Sequence, residues 1–155
     1  MKTQTCCFTG HRNIQLDERE AIKDRLEEEM INLIHQGVRY FGAGGALGFD
    51  MIAEFSVLEL KREYPQIRLI LVLPHKDQAK GWDPWDKGAY DFILSRADKV
   101  VYVSKRYEPG CMQERNRRLV DSSAVCICYL TNQQSGTAYT VDYARQKGLR
   151  IINLV

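Results

Sequence analysis

The chain has 155 residues, 45% of them apolar, enough for one domain that buries roughly 70% of its unfolded surface without disulfides or a structural metal. The 22 Lys and Arg stand against 20 Asp and Glu, and the resulting charge of +2 excludes a tail-driven polyanion binder while leaving room for a local basic patch. No apolar run approaches the roughly 20 residues of a membrane span, and Met1 to Cys6 lack the apolar stretch of a secretory signal, so a cytoplasmic protein with no membrane partner is expected.

In chain order, short apolar runs alternate with longer stretches of helical period. That pattern predicts an α/β fold, a single Rossmann-like three-layer sandwich over residues 1–155 with a mainly parallel sheet of about six strands. The first strand is expected at Thr5–Thr9. A helix follows, with Asp17 as N-cap, Glu20 three residues on, and Ile22, Leu26, Met30 and Leu33 spaced for one buried face before Gly37 ends it. The second strand is Val38–Gly42, and the second helix runs from about Gly48 to Glu63, stopping before Pro65. Its Met51, Ile52, Phe55, Leu58 and Leu60 suit either a core or a homo-oligomer seam. Ile67–Leu73 is the third strand, after which Asp83 and Pro84 open the third helix as N-cap and first helical residue. Lys99–Val103, a helix from about Met112 to Ser122, and Ala124–Leu130 come next. The last helix opens at Ser135, carries Ala138, Val141 and Ala144 on one face and closes at Gly148, leaving Arg150–Leu154 as the final strand.

Five cysteines is an odd number, and Cys6-Cys7 and Cys126-x-Cys128 lie in strand-like runs where a reduced thiol acts as a small buried hydrophobe. No CxxC or HxxxH spacing supplies a tetrahedral set, so no metal is expected.

In a parallel α/β sheet, ligands sit beyond the carboxyl ends of the strands. Three loops there are unusual. The first is Thr9-Gly10-His11-Arg12, where Arg can fork onto a phosphate and His can bond a base or exchange a proton. The second, Gly42-Ala43-Gly44-Gly45-Ala46-Leu47-Gly48-Phe49-Asp50, puts four glycines before a helix N-terminus, which suits an anion cradle or, more simply, a tight turn. Leu47 stands where the dinucleotide fingerprint needs its third glycine, and no acidic residue ends the third strand to hold a ribose. An ordinary dinucleotide cofactor is therefore not expected. The third, Ser135-Gly136-Thr137, offers hydroxyls and amides at another helix start, with plain capping as the alternative. His35 and His75 have less to recommend them. Arg115, Arg117 and Arg118 make a local positive field of which only a subset can address one ligand, and Trp82, Trp85, Tyr90 and Tyr107 are candidate stacking platforms.

Phe8-Thr9-Gly10-His11-Arg12, Gly44-Gly45-Ala46-Leu47-Gly48-Phe49-Asp50, Arg115-Asn116-Arg117 and Ser135-Gly136-Thr137 together resemble the SLOG superfamily, specifically its small YpsA-like branch. The order of the motifs is also similar to the Rossmann-like core of the DNA-processing A proteins. The resemblance implies that Gly44, Gly45, Gly48, Ser135, Gly136 and Thr137 hold the phosphate of a nucleotide or nucleotide-derived small molecule such as ADP-ribose. Thr9, Gly10, His11, Arg12, Asp50, Arg115 and Asn116 would line the same pocket, with no resident cofactor. The sister LOG-type phosphoribohydrolases carry a catalytic Glu where this chain has Thr140, and their glycine-rich lead is replaced by Gln133-Gln134-Ser135. Asp142 lies about 200° further round the helix than Thr140. An N-glycosidic hydrolase would thus depend on Asp50 with His11, Asp50 being equally able to bond a ribose hydroxyl or to cap its helix. Single-stranded DNA binding through Arg12, Arg115, Arg117 and Arg118 is the remaining alternative.

Overall fold

The first strand shows how alternation builds the sheet. β1, Thr5–Gly10, sends Cys6 and Phe8 to one face and Cys7 to the other, and each side chain joins a different apolar cluster. The computed structural model describes residues 1–155. Five more strands follow: β2 (Tyr40–Ala43), β3 (Arg68–Leu73), β4 (Lys99–Tyr102), β5 (Val125–Tyr129) and β6 (Arg150–Asn153). Every ladder is parallel and the order across the sheet is β4-β3-β2-β1-β5-β6.

The helices are α1 (Arg19–His35), α2 (Phe49–Lys61), α3 (Pro84–Arg96), α4 (Cys111–Asp121) and α5 (Gly136–Gln146). α1, α2 and α3 cover the face on which Phe8, Phe41, Leu69 and Leu71 pack with Ile22, Leu26, Phe49, Val57 and Ile93. α4 and α5 cover the other, smaller core, where Leu119, Val120, Val141 and Ala144 meet Cys7, Cys126 and Cys128. All five cysteines are free and buried. The chain leaves β1 toward β2 and leaves β5 toward β6, in opposite directions. The carboxyl ends of β1 and β5 therefore flank the switch point, where such sheets open a crevice. No helix is long and apolar enough to cross a membrane.

The expected elements are all present, with ends that move for local reasons. Val38 does not start β2. Its amide donates to Leu33 O and that of Gly37 (φ +100°) to Ile34 O, which ends α1 in a Schellman-type turn. Asp17 does not cap α1 either. Leu16–Glu18 forms a separate 3-10 turn, α1 begins at Arg19 without a side-chain cap, and Glu18 accepts a hydrogen bond from the Tyr129 hydroxyl at 3.0 Å. Asp83 does cap α3, accepting from Asp86 N at 3.0 Å ahead of Pro84.

Candidate functional site

The switch-point crevice is a cleft of about 410 Å³, within the size range of small-molecule sites. Its walls come from four segments: the end of β1 (Phe8, Thr9, Gly10, His11, Arg12), the start of α2 (Ala46, Asp50), the first turns of α4 (Met112, Gln113, Arg115, Asn116) and the start of α5 (Ser135, Gly136, Thr137).

Two contacts hold these segments in register. Phe49 N donates to His11 O at 3.1 Å, and Gly10 must lack a side chain because a Cβ there would lie 2.5 Å from Phe49 Cβ. On the other side, His11 Nε2 accepts from Thr131 N at 2.9 Å and Asn132 N at 3.4 Å, with the imidazole edge-on to Tyr129. His11 thus ties the loop after β1 to the loop after β5.

The glycine loop is closed on the protein's own groups. Gly45 N donates to Glu54 Oε2 at 3.0 Å and Ala46 N to Asp50 Oδ2 at 3.2 Å. Gly44 O accepts from the Arg115 guanidinium and, at 3.4 Å, from Gln78 Nε2. A Cβ at Gly44 would stand 2.6 Å from Arg115 Nη1, and one at Gly48 (φ +79°) would collide with the Arg12 carbonyl. Gly44, Gly45 and Gly48 therefore lie behind the cleft and serve close approach within the chain. From this loop only Ala46 and Asp50 reach the wall.

Asp50, Glu54 and Arg115 form an ionisable cluster under the cleft, each less than a tenth exposed. Burial pushes the Asp50 carboxyl up, opposed chiefly by the charge of Arg115. Burial and then the nearby Asp50 push Glu54 well above the usual carboxylate range, and burial draws Arg115 down. Arg115 Nε also donates to Asn116 Oδ1 at 2.7 Å, which leaves the Asn116 amide nitrogen for the cleft.

At the opposite wall, the Ser135 hydroxyl caps α5, accepting from Ala138 N at 3.1 Å and donating to Asn132 O at 2.7 Å. The Gly136 and Thr137 amides donate to no group in the chain, and the Thr137 hydroxyl makes no hydrogen bond although the residue is only 8% exposed. Thr140 Oγ1 donates back to Gly136 O, and the exposed Asp142 pairs with Arg145, so neither reaches the cleft.

Of the thirteen residues singled out from the sequence, the cleft gathers Thr9, Gly10, His11, Arg12, Asp50, Arg115, Asn116, Ser135, Gly136 and Thr137. Met112 and Gln113 were missed, although they precede Arg115 and Asn116 by one helical turn and so share their face. None of the expected stacking platforms stands here. Trp82 packs on Tyr90, Tyr107 on His75, and Trp85 is exposed on α3. His35 packs against Tyr64, while Arg117 and Arg118 lie off the cleft wall.

The family model described as the YspA SLOG family matches residues 6–151. The chain belongs to that family. A UPF0398 protein of Bacillus cereus is 30% identical over 132 residues, which is 83% of this chain and 72% of the relative. The fold of this chain is similar to that of DNA processing protein A from Streptococcus pneumoniae, with TM-score 0.71, 15% identity and coverage of 97% of this chain and 50% of that one. The Helicobacter pylori protein, whose structure is described for its single-stranded DNA binding mode, gives TM-score 0.69, 18% identity and coverage of 97% and 64%. The SLOG chain thus spans half the length of the first and under two thirds of the second.

Proposed function

We propose that this SLOG protein binds a nucleotide or a nucleotide-derived small molecule in the switch-point cleft, its phosphate at the α5 N-terminus. One observation carries the reading: Thr137 lines the cleft with a hydroxyl that has no internal partner, beside the two undirected amides of Gly136 and Thr137. Amides at a helix start favour an anion. Arg12, exposed on the cleft rim, supplies a forked cation, and Asp50 on the opposite wall supplies an acceptor for a ribose hydroxyl.

Thermal shift tests this. A nucleotide at 100 times its dissociation constant adds about 2.7 kcal/mol, raising the midpoint by roughly 5–10 °C for a domain of this size. AMP or ADP-ribose is expected to give that shift and Arg12→Ala to lose it. No shift with any nucleotide overturns the reading.

The likeness to the Helicobacter protein favours single-stranded DNA as a second reading, and an oligonucleotide in the same assay tests it. Log affinity must then fall against log salt by about 0.7 per phosphate contacted. Arg115 contributes little to such a surface, being buried and engaged with Gly44 O. Hydrolysis by Asp50 with His11 has less support, since the His11 Nε2 lone pair is already taken by two loop amides. Release of free base from a bound nucleotide would establish it.

A further inference from the structure

Next to the nucleotide cleft lies a second one, of about 510 Å³. Arg12 lines both and so stands on the boundary between them. The other walls are Gln15 ahead of α1, Arg19 at its start, Leu47 and Met51 around the start of α2, and Asp86 in the first turn of α3. Leu47 and Met51 offer apolar, polarisable surface for the face of a planar ring. Gln15 and Asp86 offer an amide and a carboxylate for its polar edge, or for sugar hydroxyls. Asp86 repels phosphate from its own side, and Arg12 attracts phosphate to the boundary between the clefts. The Arg12 backbone is fixed there because it packs on Gly48, where even a Cβ would collide.

We propose that the second cleft is a subsite for a further nucleoside unit, joined to the first through a phosphate held by Arg12. The inference rests on the nucleotide reading of the first cleft. Its chemistry is a phosphate-linked pair of nucleosides, supplied by a small dinucleotide or by two neighbours in a single strand.

Titration calorimetry with AMP, the linear dinucleotide pApA and an oligoadenylate of about 12 nucleotides tests it. The unaltered protein is compared with a Gln15→Ala/Arg19→Ala double variant, both positions being exposed, and with Thr137→Val. The unaltered protein is expected to bind pApA at least about tenfold more tightly than AMP. The double variant is expected to lose that gain and keep its AMP affinity, while Thr137→Val weakens both ligands. Equal affinity for AMP and pApA, or a gain that survives in the double variant, overturns the second subsite and leaves the first reading standing. Absence of binding by AMP, pApA and the oligomer alike overturns the first reading and this one with it. An oligomer that binds more tightly than pApA identifies a strand as the source, and equal affinity identifies a small dinucleotide.

Discussion

Glu54 is a carboxyl group with 1% exposure whose Oε2 accepts from the Gly45 amide. Its proton is held more tightly in the folded chain than in the unfolded one, through burial first and the neighbouring Asp50 second. Such a group contributes stability that is full below its unfolded pKa and is lost as pH rises toward the folded one. Glu54→Gln keeps an oxygen for Gly45 and carries no charge to bury. The variant is therefore expected to match the unaltered protein near pH 4–5 and to melt at a higher temperature near pH 8. Melting curves across that range check it, and a variant that melts lower at pH 8 would show that an ionised Glu54 is held by Arg115. His11 illustrates the same dependence on neighbours. Its position after β1 was readable in the sequence, but its partners Thr131 and Asn132 lie 120 and 121 residues away, so its role as a tie between loops was not.

Among the elements, α5 separates capping from binding within three residues. Ser135 spends its hydroxyl on Ala138 N and Asn132 O, whereas Thr137 has no internal use for its own. Ser135→Ala is expected to cost about 1 kcal/mol and to lower the midpoint by roughly 2–4 °C. Thr137→Val, nearly isosteric, is expected to leave the midpoint unchanged and weaken nucleotide binding. Comparing melting with titration for the two variants decides whether the roles divide this way; equal losses of stability in both would not fit. The central strands β1 and β5 were legible because they are covered on both faces and read as apolar runs. Strand ends were less so, because a terminal amide can serve a helix cap instead of the ladder, as Val38 does.

The whole molecule has two unequal cores, 25 buried residues on the α1–α3 face and 10 on the α4–α5 face, meeting through the central strands. β1 and β5 pair over five residues with partners on both sides, while β4 and β6 are edge strands, each with an exposed residue. Amide hydrogen exchange is expected to be slowest in β1 and β5 and several-fold faster in β4 and β6; uniform protection across the sheet would refute this order. The place of the cleft followed from the strand pattern, since a parallel sheet concentrates ligand chemistry at its carboxyl edge. That the glycine-loop amides are taken up inside the chain did not follow, because their partners Asp50 and Glu54 sit on α2 and look from the sequence like ordinary helix carboxylates.

Those two carboxylates also bear on the kinetics of recognition. A glycine loop already satisfied by its own carboxyl groups needs no guest to order it, so the entropic cost of arranging it falls on folding and not on association. Encounter with a ligand then resembles docking onto a fixed surface, with on-rates in the ordinary diffusional range and no slow closing phase after mixing.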